Sequence, residues 1–328
     1  MARTAVTEAN KLSTAAIFDE LRETRVKQDR HAERVLEMGQ VLDQRGALKG
    51  GKDQVWDSME QVVLAAVECG QLELAEILSY RLTHFSSTPH RVAYLRGLLL
   101  ECKGNLAGAR ELYEQCLNHD ETDVNSRKRL IALHLSAPLL ELPSGKGASP
   151  SPAQQSYLTA SLSRQKGISL LTQYLDTHYA DLSGWLTLST HYTSLALYPQ
   201  ALTALSHAVI LAPHDPWVAL KFAETIYTAG EVHMVWKEYL RVAEMSTEEG
   251  DEVPLKGAAR RTAMGAKLCI PRLRSLAAPA DPLLAPAKLD EMDLLLSRLL
   301  LDAYTKMGGA VGLGIVRRWL GGTGEAAK

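Results

Sequence analysis

A spacing of 34 residues carries Gly70, Leu72 and Ala75 onto Gly104, Leu106 and Ala109, and a repeat of that length restricts the chain to a stack of like units. Each unit reads as a helix end, a glycine turn and a second helix opening on a small residue, first in VECGQLELAEILSYRL and then in LECKGNLAGARELYEQCL. Glycine takes the backbone shape that closes a helical hairpin, and alanine leaves room for a neighbouring helix. Further along, Trp185, Leu188, Ser189 and Tyr192 mark one helix, Tyr198 the turn, Ala201, Leu205 and Ala208 the next helix, and Pro213 its close. The same register returns 34 residues on through Ala219, Phe222, Ala223, Ile226, Gly230, Val232, Val235, Tyr239 and Val242. Gly97 and Tyr113 complete the repeat-defining positions of the second unit.

These residues resemble the tetratricopeptide pattern, and the reading predicts an all-α fold, a right-handed solenoid of tetratricopeptide-like helical hairpins. The alternative is an unrelated helical bundle. The array is expected over residues 53–245, after an irregular N-terminal helical hairpin in 1–50 whose apolar stripe is Ile17, Leu21, Val35, Met38 and Leu42. One unit is interrupted: NSRKRLIALHL is followed by a Pro/Ser-rich excursion at 137–160, and a second helix resumes near Tyr157. Pro138, Pro143, Pro150 and Pro152 exclude a continuous helix there. Capping helices are expected in 255–306, one over 255–270 and one over 288–306, and a flexible Gly-rich tail in 307–328.

Composition narrows the function. Charges balance to a net −2, with 36 Lys and Arg against 38 acids, and a protein that grips many phosphates usually carries a basic excess. Nucleic acid is therefore not an expected partner. Cys69, Cys102, Cys116 and Cys269 show no CxxC spacing, and the chain holds no Asn-x-Ser/Thr site, which fits a reducing compartment. MARTAVTEANKL lacks the apolar run of a signal peptide. From Leu182 to His214, however, 33 residues pass without a single Asp, Glu, Lys or Arg. Hydroxyls, histidines, Gln200 and two prolines break its apolar surface, so a membrane span is not the expected explanation.

No catalytic constellation is present. HExxH and GxSxG are absent, and Gly145, Lys146 and Gly147 lack the residues that complete a phosphate loop. Gly309, Gly312 and Gly314 follow a helix rather than a strand. His84 and His90 flank a turn, and His191 and His207 lie on two helices of one hairpin without the further ligands that a structural metal site requires. Cys102 and Cys116 read as small apolar packing groups. Asp57, Glu60, Glu68, Glu101 and Glu224 fall on first helices of hairpins, as a polar binding face or as ordinary solvated charge. No catalytic, cofactor-binding or metal-binding residue is assigned.

The run from Val55 to Leu117 carries a more specific likeness. Trp56, Glu60, Gln61, Ala65 and Ala66, then Phe85, Pro89, His90, Arg91 and Val92, then Arg127, Lys128, Arg129 and Ile131 resemble the subunit 2 family of the endoplasmic-reticulum membrane protein complex, over roughly residues 15–245 and most strongly over 53–135. The long excursion and the glycine-rich tail depart from that family's compact pattern. The resemblance implies a scaffold without catalysis of its own, peripheral on the cytoplasmic face of the endoplasmic reticulum. Its expected partners are the membrane-spanning and soluble subunits of a complex that inserts newly made membrane proteins without nucleotide hydrolysis. A tetratricopeptide co-chaperone or adaptor, binding peptide tails, is the other reading.

The charge-free hairpin is the feature this resemblance does not explain. Exposed positions on a lone solenoid ordinarily carry Lys, Glu or Arg; here they are Ser183, Leu186, Thr187, Thr190, Thr193, Ser194, Thr203 and Ala204. A surface loses charge where another surface covers it, because desolvating an unpaired charge is costly. The expected partner interface comprises Arg91, Tyr94 and Lys128 on earlier helices and Leu186, Thr190 and Trp217 over this hairpin.

Overall fold

At Gly70, Gly104 and Gly230 the backbone turns left-handed, with φ of 74°, 80° and 95°. The residue after each donates its N–H to a carbonyl near the end of the preceding helix: Gln71 to Ala66 at 2.8 Å, Asn105 to Leu100 at 2.9 Å, Glu231 to Ile226 at 3.3 Å. This is the helix-ending motif that glycine favours, and it reverses the chain within a few residues. A fourth turn has the same bond, from the Leu197 N–H to the Tyr192 carbonyl at 2.9 Å, but its left-handed residue is Ala196 with φ 56°. The turn expected at Tyr198 therefore lies at Ala196, and Tyr198 is already the first residue of the next helix.

The computed structural model describes residues 10–27, 31–49, 53–83, 89–136, 152–246, 255, 257–275, 285–306 and 310–321. Among them every regular element is helical, as the repeat predicts, and the chain divides into two units, Met1–Leu170 and Leu171–Lys328. The first unit holds α1 (Thr14–Lys27), α2 (Ala32–Gln44), α3 (Asp53–Glu68), α4 (Leu72–Thr83), α5 (Pro89–Cys102), α6 (Leu106–His119) and α7 (Val124–Leu135). The boundary falls within α8 (Pro152–Thr177). The second unit continues with α9 (Leu182–Ser194), α10 (Tyr198–Leu211), α11 (Pro216–Ala229), α12 (Val232–Ser246), α13 (Gly257–Ser275), α14 (Pro286–Lys306) and α15 (Ala310–Gly321).

Side chains at the helix starts do the capping. Asn105 accepts from the Gly108 N–H, Asp123 from Asn125 and Ser126, Asp181 from Gly184 and Asp215 from Trp217, each satisfying a backbone donor that the helix leaves orphaned. In the first unit Ile17, Leu21, Met38, Leu42, Met59, Val62, Ala75 and Leu78 pack into one core, and Ala109, Tyr113, Leu130 and Leu133 into a second. In the second unit Ala223, Ile226, Val235, Trp236, Tyr239, Ala266, Ile270 and Leu300 form the core. Ala75, Ala109, Ala201 and Ala208 are wholly buried, as helix contacts limited to a methyl group must be. Gly97 serves a different need: a Cβ there would lie 2.4 Å from Cε1 of Tyr113, so its bare backbone admits that ring.

Several expectations are corrected. Helix α8 starts at Pro152, whose fixed φ suits a first helical turn, so 152–160 is helix rather than excursion; 137–151 lies outside the described residues. Residues 310–321 of the expected flexible tail form α15, because Leu313, Val316, Trp319 and Leu320 recur at helical spacing and Trp319 packs on the second unit's core. Trp185 and Tyr192 are half-buried rather than core residues, Pro213 is exposed and Ala204 is buried. Cys116 is buried as a packing group, while Cys102 is exposed.

Candidate partner-binding face

Polar side chains on the first helices of successive hairpins link to the first helix of the hairpin before. In the first unit Arg25 of α1 meets Asp57 of α3 at 3.2 Å, and Gln61 donates to Thr24 Oγ1 at 2.8 Å. Arg91 of α5 pairs with Glu60 of α3, with Asp57 3.9 Å away. Arg129 of α7 grips Glu101 of α5 through both Nε, at 3.1 Å, and Nη2. Tyr113 donates to the same carboxylate at 2.6 Å, and its phenol is pushed well above the usual tyrosine range by burial and then by that hydrogen bond. In the second unit Arg261 of α13 takes Glu224 of α11 with two bonds, at 2.5 and 2.9 Å. Four of the acids read from sequence, Asp57, Glu60, Glu101 and Glu224, thus serve as ion-pair partners between helices; Glu68 stands exposed at the end of α3.

The link between α9 and α11 breaks this pattern. Lys221 of α11 donates to Thr190 Oγ1 at 2.7 Å and to the Leu186 carbonyl at 3.2 Å, where the other cations meet carboxylates. Burial alone pulls its ammonium below the usual lysine range. Leu186 and Thr190 hold it, and Trp217 lies one turn before Lys221 on α11 and is 53% exposed. Thr190, expected to face a partner, is therefore already engaged within the chain. Arg91 and Tyr94 belong to the first unit, Arg91 in its ion pairs and Tyr94 half-buried with its ring 6.3 Å from that of Tyr113. Lys128 is exposed on α7. Lys221 escaped the sequence reading, although it follows Thr190 at the interval of 31 residues by which Arg91 follows Glu60.

The hydroxyls of the charge-free hairpin are turned onto their own helices. Thr187, Thr190 and Thr193 donate to the carbonyls of Ser183, Leu186 and Ser189 at 2.7–2.8 Å, and Thr203 to Pro199 at 3.0 Å. Large apolar groups stand in water beside them, Leu195 and Leu197 at the turn and Ile210, 74% exposed, with Leu211 at the end of α10. His207 stacks on Trp185, ring centres 4.4 Å apart, and that indole donates to the Tyr179 carbonyl at 2.8 Å.

A groove of about 490 Å³ lined by Arg22, Arg25, Val26 and Asp57 is open to solvent. Among the described residues no group of three or more His, Cys, Asp or Glu is placed to hold a metal ion, and no helix is long and apolar enough to cross a membrane. His84 lies outside the described residues. His134 of α7 is buried, with Nδ1 2.9 Å from Ser163 Oγ. Burial, then the nearby charges of Arg110 and Lys166, lower its pKa.

No protein-family model matches the chain. Curated relatives do: it is 28% identical over 212 residues to "ER membrane protein complex subunit 2" of Xenopus tropicalis, a match covering 65% of this chain and 63% of that protein. To "TPR repeat protein oca3" of Schizosaccharomyces pombe it is 27% identical over 203 residues, covering 60% of this chain and 63% of the relative. Among solved structures, the C-terminal part of a TPR repeat-containing protein from Cytophaga hutchinsonii superposes with a TM-score of 0.56 at 12% identity, covering 87% of this chain and 95% of that one. The fold is thus that of a tetratricopeptide-repeat protein, and over about two thirds of its length the chain is similar to subunit 2 of the ER membrane protein complex.

Proposed function

We propose that this chain is a non-catalytic scaffold subunit of the endoplasmic-reticulum membrane protein complex, held at the cytoplasmic face of the membrane through its partners. In that role it supports energy-independent insertion of newly made membrane proteins, tail-anchored and multi-pass, by fixing the geometry of subunits that perform the step. The observation that carries the reading is the similarity to curated subunit 2 proteins across 212 residues, on a fold made of stacked hairpins. Stacked hairpins offer long surfaces to several partners at once. The α9–α10 hairpin, with Leu186, Thr190 and Trp217 alongside, is the surface we assign to a partner in the second unit; Arg91, Tyr94 and Lys128 are candidates in the first.

Affinity purification of the tagged chain from detergent-solubilised membranes tests this directly. Several membrane-spanning subunits should co-purify in fixed ratio, and high salt or alkaline washing should release at least part of the chain from membranes. Recovery with no membrane subunit would refute the scaffold. Tight binding of an isolated acidic C-terminal peptide would instead favour the co-chaperone.

A further inference from the structure

We propose that Lys221 is the seat for a carboxylate supplied by a protein partner, an Asp or Glu side chain that docks on α9 and α11 beside Trp217. The inference rests on the scaffold reading and names the chemistry at one of its contacts.

Three cross-helix links between first helices, Arg91 to Glu60, Arg129 to Glu101 and Arg261 to Glu224, join a cation to a carboxylate. Lys221 occupies the cation's place in a fourth, 31 residues after its hydroxyl partner Thr190. An ammonium carries three N–H donors. Thr190 and the Leu186 carbonyl account for two, neither of them charged. Among the described residues no carboxylate pairs with Lys221: Asp181 and Asp215 cap α9 and α11, and Glu224, one turn beyond Lys221, is taken by Arg261. No acid exists between Leu182 and His214 to swing in. A half-buried cation with no counter-charge among the described residues stands at a disadvantage that an arriving carboxylate removes, and the exchange is most favourable where the surrounding surface is already poor in charge. Burial lowers the pKa of Lys221, as expected of an ammonium that still lacks its anion. Trp217, 53% exposed on the same face of α11, supplies the apolar area that a docked segment would cover.

The test uses the complex purified from solubilised membranes through the tagged chain. Treatment with a carbodiimide activates carboxyl groups, and an amine in ion-pair contact displaces the resulting urea to form an amide. Mass spectrometry should find Lys221 joined to an Asp or Glu of another chain. Lys221→Gln should lower recovery of that chain at least tenfold. Thr190→Glu supplies the carboxylate from within, as Glu60 does for Arg91, and should lower it comparably while leaving helicity and thermal midpoint unchanged or higher; it keeps the test decisive if Lys221→Gln folds poorly. Lys221 linked only within its own chain, or full recovery of the partner with Thr190→Glu, would overturn the proposal while leaving the scaffold standing. Purification without any membrane subunit would overturn both.

Discussion

Gly97→Ala adds one methyl group to α5, and the structure says where it goes: 2.4 Å from Cε1, 2.6 Å from Cζ and 2.9 Å from the hydroxyl of Tyr113. The ring cannot yield freely, because Tyr113 is wholly buried and its hydroxyl is tied to Glu101, itself held by Arg129. In an exposed helix the same change would stabilise by about 1 kcal/mol through propensity. Here overpacking costs ~1–3 kcal/mol, and a hydrogen bond to a charged acceptor, worth ~1.5–3 kcal/mol, is strained or broken as the ring shifts. The net expectation is a loss of about 2 kcal/mol, or about 4–8 °C in the melting midpoint of a unit this size. Urea titrations followed by far-ultraviolet circular dichroism should include a double-mutant cycle. On a Tyr113→Ala background the clash is gone, so Gly97→Ala should become stabilising by about 1 kcal/mol. A variant at least as stable as the parent when Tyr113 is present would refute the packing argument.

Ala196→Gly should raise stability by about 0.5–1 kcal/mol, since a left-handed alanine costs ~1–2 kcal/mol and glycine's extra unfolded-state freedom returns only part of it; an unchanged or lower urea midpoint would contradict the observed turn. Ala109→Leu should overpack the α5–α6 contact and cost ~1–3 kcal/mol in thermal unfolding, and no loss would discredit the repeat register. His134 should make stability pH-dependent: its pKa is lowered in the folded state, so the unfolded chain binds the proton more readily, and stability that is complete above the ordinary value of 6.5 is lost as pH falls below it. Urea midpoints at pH 7.5 and 5.5 should therefore converge when His134 is replaced by Asn, and an equal drop in parent and variant would exclude His134 as the cause.

The hairpins were legible because their determinants are local. Gly70, Gly104 and Gly230 mark left-handed turns, and the alanines that follow mark close helix contacts. Ala196 escaped because alanine does not advertise a left-handed backbone, so the nearby Tyr198 drew the turn toward itself. Glycines around 308–314 suggest looseness, yet the stripe of Leu313, Val316 and Trp319 holds α15. The absence of charge in 182–214 marks the α9–α10 hairpin, while the cation beside α9, Lys221, comes from α11. Links such as Lys221 to Thr190 depend on how one helix is rotated against the next, which composition within a single helix does not encode.

The inward-turned hydroxyls of α9 bear on selectivity. Once Thr187, Thr190 and Thr193 have spent their protons on carbonyls of their own helix, their oxygens present only lone pairs outward. A visiting carbonyl or carboxylate finds no donor on these three hydroxyls and is repelled there, whereas a visiting N–H or O–H is accepted. On the proposed reading such a surface discriminates by rejection: it tolerates neutral donors yet seats an acidic group where Lys221 interrupts the field, so one charge would set how far along the helix a binding segment slides before it stops.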